Sequence, residues 1–298
     1  MSWEIKRIMK RKNIMRIHSI AVLAIVLIVA SCSKGGYDEV ARVGDVYIFR
    51  SDIELRTAVY VNCRMKPRKD TTEVLAEIIR DALEKATLQK FYGIAPPESV
   101  LKQKAKRIDR DTKAPEMLAC IKSIYGSNKD AYLRNVVEPI LVNNKLHSLF
   151  AIDSLVHARE RDSAAAIMKN VKSHKIPLSS VAGYDTFRTP KIPQNEQINQ
   201  YIQTDLKNPL VEKVLKNLGE GEIYSDIVED DLSYKIIRLI GESDSDYVWD
   251  GIVISKNPFD EWFKDYVLNN ISIEIYDTSL KRKFYEKYPD LWWREIIR

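Results

Sequence analysis

The residues of this 298-residue chain best suited to chemistry are three cysteines and four histidines. Cys32, Cys63 and Cys120 form no Cys-x-x-Cys pair. His147, His157 and His174 have no short ligand spacing, so no metal-binding pattern arises. There is no Gly-x-Ser-x-Gly elbow, phosphate-binding loop or His-Glu-x-x-His helix. Asp244 and Asp246 lack the rest of a calcium loop. No metal and no cofactor is therefore expected. Glu229-Asp230-Asp231 reads as the solvated tip of a hairpin rather than a paired acid/base site. Trp262, Phe263 and Tyr266 fall on one helical face, where large aromatics could give adaptable apolar contact to an extended polypeptide. Core packing is the plainer reading of Trp262. Trp293 follows Trp292 directly, and two neighbours on a helix cannot face the same way, so one of them is expected at a surface or interface.

Cys32 has a different context. Residues 20–30 are eleven uncharged apolar residues, too few for a membrane-spanning helix, which needs roughly 20. Six Lys/Arg precede them against one Glu4, the pattern of a secretory leader. Met9 and Met15 are alternative starts to Met1. The run ends Val29-Ala30-Ser31-Cys32, which resembles the bacterial lipobox: an aliphatic residue, two small residues and a Cys. In that family the leader is removed before the Cys, and the thiol becomes a thioether to lipid. The resemblance implies a signal peptide over 1–31 and a lipid on Cys32. Ser33 is not the Asp that some bacteria use for retention, so the outer membrane is the expected destination.

Removing the leader changes the charge. Residues 1–31 hold six of the 47 bases and one of the 42 acids, which leaves 41 of each in the mature chain. A neutral chain gives no argument for nucleic acid. The mature part is long enough for a large core or two domains, and few Gly and Pro argue against disorder. Cys63 and Cys120 would meet an oxidising compartment, where they either pair or stay as two buried thiols.

Periodicity then gives the elements. Residues 40–49 read as a hairpin about Gly44-Asp45, whose Gly suits a II′ turn. Ser51 stands as the cap of a helix to about residue 64, and a second amphipathic helix runs from Thr72 to Gly93. Further helices cover 98 onward, 116–125 and 130–150. Residues 140–176 contain no Gly or Pro and read as two nearly continuous helices broken near 161–163. Short helices are expected at 195–204 and 209–218. Strands are expected at 223–228, 232–240, 247–254 and 271–276, with 241–246 as a solvated linker. A helix follows over 279–298. The fold class is α+β: a mostly helical N-terminal part, a small α/β module and a C-terminal strand-helix extension.

Residues 209–240, with Leu218-Gly219-Glu220-Gly221-Glu222-Ile223 and Ser233-Tyr234-Lys235-Ile236-Ile237, resemble the last helix and hairpin of a parvulin-type peptidyl-prolyl isomerase. Residues 164–171 resemble that family's first helix. Upstream, 43–55 and 132–150 resemble the N-terminal domain of exported SurA- and PrsA-like chaperones. The resemblance implies domains at 32–152, 153–254 and 255–298, the last returning to the first. It implies a cradle for unfolded exported polypeptides and no nucleic-acid partner. A parvulin lowers a rotation barrier of about 20 kcal/mol in a dry pocket floored by two histidines beside a Cys or Asp. Here Lys235 stands where the last strand has its histidine, and a lysine ammonium cannot exchange donor and acceptor roles as imidazole does. His157 and Asp185 are the remaining candidates for the first histidine and the acid, with His157 inside a helical pattern. The family's first strand has no good match before Ala164, because 159–162 are all charged. Residues 247–254 are β-branched and aromatic and suit the vacant place.

The reading is a lipid-anchored, periplasm-facing chaperone with a degenerate parvulin-like module. Its alternatives are a working isomerase and a structural envelope lipoprotein. Cys32→Ala is expected to leave an unprocessed precursor that takes up no lipid, because no other residue there forms the thioether. Metabolic labelling with a fatty acid checks this, and label retained by the alanine variant contradicts the lipobox reading.

Overall fold

A computed structural model describes residues 38–63, 65, 67–191 and 208–298. The expected leader, Cys32 and the helix expected at 195–204 lie outside the described residues. The fold is α+β. Among the described residues no helix is long and apolar enough to cross a membrane. The chain divides into two compact units, one of residues up to Ala86 with Lys102–Val137 and Ser272–Arg298, the other of Thr87–Leu101 and Glu138–Ile271.

The first unit opens with β1 (Glu39–Val43) and β2 (Val46–Phe49). Gly44 takes a φ of 54° between them, the left-handed value a II′ turn needs at its first position. A lone hairpin is marginal in water, and β7 (Ile273–Ile275) completes it. β7 runs antiparallel to β1, with Ala41 opposite Ile275 and Val43 opposite Ile273. β1 is therefore central, and Val40, Ala41 and Val43 are buried.

Helix α1 (Arg50–Asn62) starts before the expected cap, so Ser51 lies inside its first turn. Asp52 reaches back instead and accepts from the Phe49 N–H at 3.3 Å. Its carboxylate is buried and also accepts from Arg134 Nη2 at 2.6 Å and Asn135 Nδ2 at 2.8 Å. Those two residues sit in a π-turn, Leu133–Val137, between α5 (Lys129–Tyr132) and α6 (Glu138–Ile152), where one unbroken helix was expected. In α2 (Thr71–Tyr92) the expected apolar positions Val74, Leu75, Ile78, Ile79, Ala82, Leu83, Ala86 and Leu88 are all buried. After α3 (Glu98–Asp111) comes α4 (Pro115–Tyr125). Cys63, just past α1, is bonded to Cys120 in α4 across a sequence separation of 57. In the chain-entropy account, a loop that long contributes about 4 kcal/mol.

The C-terminal helix is shorter than expected. The helix α10 (Thr278–Lys287) is capped by Asp277, which accepts from the Leu280 N–H at 2.9 Å. It stops before Pro289, which disfavours helix at the residue ahead of it. Trp292–Ile296 is a separate 3-10 turn. Trp293 is 4% exposed, its ring 5.0 Å from that of Phe284, so it packs in the interior and offers no surface to a client.

The second unit is built on a four-stranded antiparallel sheet in the order β3-β6-β5-β4. Its strands are β3 (Tyr184–Pro190), β4 (Val228–Glu229), β5 (Ser233–Glu242) and β6 (Asp246–Ser255). Half of the expected linker is strand, with residues 243–245 left as the loop. β6 pairs with β5 from Ser255 back to Tyr247 and with β3 on its other side. Alternation then sorts the sheet's side chains. Ile237, Leu239, Tyr247 and Trp249 pack beneath Val211 and Leu215 of α8 (Pro209–Leu215). Ile236 and Ile252 pack against Met168 and Val171 of α7 (Ala158–Lys172).

The break ahead of α7 is at residues 153–157, not near 161–163. Asp153 causes it by accepting from the N–H groups of Leu155 and Val156 at 2.9 and 3.2 Å, an Asx-type turn. The helix α9 (Phe259–Asn270) follows the sheet.

Gly251 is the closest approach in the sheet. A Cβ there would lie 1.9 Å from the Ile236 carbonyl oxygen. Gly251→Ala is therefore expected to destabilise the protein by about 3 kcal/mol, seen as a lower denaturation midpoint. An unchanged midpoint would mean that β6 does not lie this close to β5.

Candidate functional site

The residues singled out for catalysis are not brought together. Lys235 is the third residue of β5 and is fully buried. Its ammonium donates to Asp230 and, at 2.5 Å, to the Ser233 hydroxyl. Asp230 also accepts from Asn208 Nδ2 at 2.5 Å and from the N–H groups of Leu232 and Ser233 at 2.9 and 2.8 Å. Burial pushes the Asp230 carboxyl up, but Lys235 and these N–H donors outweigh it and hold it below the usual carboxylate range. Asp230 is thus the buried counter-ion of Lys235, not part of a solvated tip. The signal for this was the lysine itself, since a buried ammonium needs a partner. Every group of the network is engaged, and none is presented to a substrate.

Asp185 is exposed on the edge strand β3, opposite Gly251. It shares a face with Lys235 but stands two strands away, with Gly251 and Ile237 between. Under α8 this face is filled: Phe187 stacks on Trp249 at 4.3 Å, and the Trp249 indole donates to the Thr189 hydroxyl at 2.9 Å.

The opposite face carries a second ion pair, with a buried carboxylate and a half-buried guanidinium, that periodicity alone did not reveal. Arg238 of β5 clamps Asp250 of β6 with Nε at 2.9 Å and Nη2 at 2.6 Å, and the Tyr184 hydroxyl of β3 donates to the same carboxylate at 2.5 Å. Burial raises the Asp250 carboxyl, but Arg238 and Tyr184 together bring it below its ordinary value. This stitches three strands and leaves no free acid or base.

His157 is not in the sheet. It is the residue ahead of α7, fully buried, with Nε2 2.9 Å from the Phe150 carbonyl oxygen and its ring 4.7 Å from the Phe150 ring. Its Nδ1 has no hydrogen-bond partner among the described residues.

The aromatic residues do assemble. Phe259, Trp262, Phe263 and Tyr266 recur along one face of α9, as an amphipathic helix requires. Trp262 stacks on Tyr266 at 5.9 Å, and Phe91 of α2 stands edge-on to both, at 5.3 and 5.1 Å. Phe150 adds a tilted contact to Trp262 at 5.0 Å. Phe263 is buried core. Trp262 and Tyr266 are half-buried, and Phe91 is exposed. Beyond this cluster, Leu155 is 83%, Ile152 68% and Leu232 57% exposed. Lys256 links their surroundings: its ammonium donates to the Ala151 carbonyl at 2.6 Å, and its backbone N–H donates to the Leu232 carbonyl at 2.8 Å.

No family model and no curated protein matches the chain. A solved structure does, described as belonging to a study of the virulence factor PEB4 and the periplasmic protein Cj1289, two structurally related SurA-like chaperones of Campylobacter jejuni. The match covers 85% of this chain and 94% of that chain at 16% identity, with a TM-score of 0.24. At that TM-score the function has to be argued from the chain's own elements.

Burial holds the His157 ring below the usual histidine range, helped by Lys256 and opposed by the Phe150 carbonyl, Glu160 and Asp153. The folded ring stays neutral while the unfolded ring takes a proton near pH 6.5. Stability is therefore full above about pH 6.5 and falls as the pH drops below it. Urea midpoints are expected to fall between pH 7.5 and 5.5 in the parent and to fall less in His157→Phe. Equal losses in both would place the acid sensitivity elsewhere.

Proposed function

We propose that this chain is an exported, lipid-anchored chaperone that holds unfolded polypeptides, and that its parvulin-like module does not catalyse isomerisation. The observation that carries the reading is the apolar surface of the second unit. Leu155, Ile152, Leu232 and Phe91 are exposed although each is large and apolar, and exposed apolar side chains of this size are what a contact site for another apolar chain requires. Trp262 and Tyr266 behind Phe91 extend that surface with rings that lose little entropy on contact.

Several features support the two finer parts. The Cys63–Cys120 bond fits an oxidising, exported compartment. The lipobox-like Val29-Ala30-Ser31-Cys32 supplies the anchor, and Ser33 favours the outer membrane. Lys235 is saturated by Asp230, Asp185 stands apart on an edge strand, and His157 lies outside the sheet. These three do not share a pocket, which speaks against a proton-relay floor around a prolyl bond.

The triple change Ile152→Ser, Leu155→Ser and Leu232→Ser is expected to weaken suppression of aggregation of an unfolded model protein several-fold. Because all three are exposed, melting should stay nearly unchanged. Aggregation followed by light scattering checks this. A triple variant as effective as the parent would show that the surface does not hold clients, and a parent with no effect would favour a structural lipoprotein.

A further inference from the structure

The first unit carries a one-sided charge that the holding function does not use. Residues 102–113 contain six Lys/Arg and two acids, and α3 itself holds five Lys/Arg against Glu98, Asp109 and Asp111, in a mature chain with as many acids as bases. On α3 the buried Leu101 and the half-buried Ala105 and Ile108 line one side. Lys102, Lys106, Arg107 and Arg110 are all exposed, and at about 100° per residue they fall on the opposite arc. Asp109 pairs with Lys122 of α4 and Asp111 with Arg110, each at 2.6 Å, so Arg110 is itself engaged and the excess charge comes from the other basic residues. The exposed arc keeps an excess of positive charge, a basic stripe that fits a surface of opposite charge.

We infer that this stripe docks on the anionic headgroups of a bilayer. The inference rests on the proposed anchor in one respect, proximity. From Cys32 to Glu39, where β1 begins, the chain can reach at most about 25 Å. Lys102–Val137 and β1 belong to the same compact unit. The lipid thus keeps the unit that bears the stripe close to headgroups, and the stripe gives the anchor a second, electrostatic contact. One acyl chain binds only marginally, so a second signal strengthens attachment.

The test does not need the lipid. A chain beginning at Ser33 keeps every described element. It is expected to co-sediment with vesicles containing 30% phosphatidylglycerol and not with pure phosphatidylcholine vesicles. Each basic residue at an anionic surface strengthens partitioning by about fivefold, so K102Q/K106Q/R107Q/R110Q should lower it at least tenfold, with an unchanged melting curve. High salt should abolish it. Equal partitioning of parent and variant, or no partitioning of the parent, overturns the inference. Binding to soluble poly-glutamate as tight as to the vesicles, at equal charge, would assign the stripe to acidic polypeptides and overturn it too. In a second arm the full lipoprotein is reconstituted in both vesicle types, and Lys102 and Lys106 should be shielded from amine acetylation only in the anionic ones. Failure of this arm alone, with partitioning intact, points to the anchor and not to the stripe.

Discussion

The close approach of β6 to β5 governs the second unit. A strand enters the middle of a sheet only if both of its edges find partners, since each buried N–H or C=O left unpaired costs about 1–3 kcal/mol. β6 meets that condition with β3 on one side and β5 on the other. Gly251 permits it, because any side chain there would strike the Ile236 carbonyl. Once β6 is inside, Trp249 and Tyr247 fill the face under α8, and Asp250 faces Arg238 on the other side. Residues 153–157, ahead of α7, make a turn fixed by Asp153 and contribute no strand to this sheet.

Two ion pairs lie on opposite faces of this sheet, Lys235–Asp230 fully buried and Arg238–Asp250 with only its carboxylate buried. Taking one charge out of water is expensive, and removing one partner of a buried pair costs about 3–5 kcal/mol. Lys235 with Asp230, and Arg238 with Asp250, are each surrounded by further hydrogen bonds, so neither charge is left unmet. Such pairs penalise register slips, because moving β5 by one residue would turn both cations to the wrong face. In the first unit Asp52 has the same part, gathering Phe49, Arg134 and Asn135 around one carboxylate.

Much of this was legible in the sequence, and the misses share a cause. The hairpin at Gly44, the apolar stripe of α2 and the strand at 247–254 follow local rules of turn chemistry and periodicity. The pairing of β7 with β1 was also foreseeable, since neither the hairpin nor the strand had a neighbour in sequence to complete it. What stayed hidden depends on long-range partners. Cys63 and Cys120 carry no spacing rule, so their bond needed the packing of α1 against α4. Asp230 looked solvated because its neighbours are acidic; only the burial of Lys235 reveals its role. Asp153 moved a helix break by several residues through a side-chain turn that composition does not announce. Trp293 became interior because Pro289 ended the helix that would have carried it outward.

The central proposal is that the second unit, read as a degenerate parvulin-like module, does not catalyse prolyl isomerisation. It is tested most directly by exchange NMR of a peptide with one X–Pro bond, in the presence of the chain from Ser33 onward and of its Lys235→His variant. The account predicts cis–trans exchange at the uncatalysed rate with both, since one histidine restored to β5 still has no partner on β6. Exchange accelerated by the parent chain would contradict it.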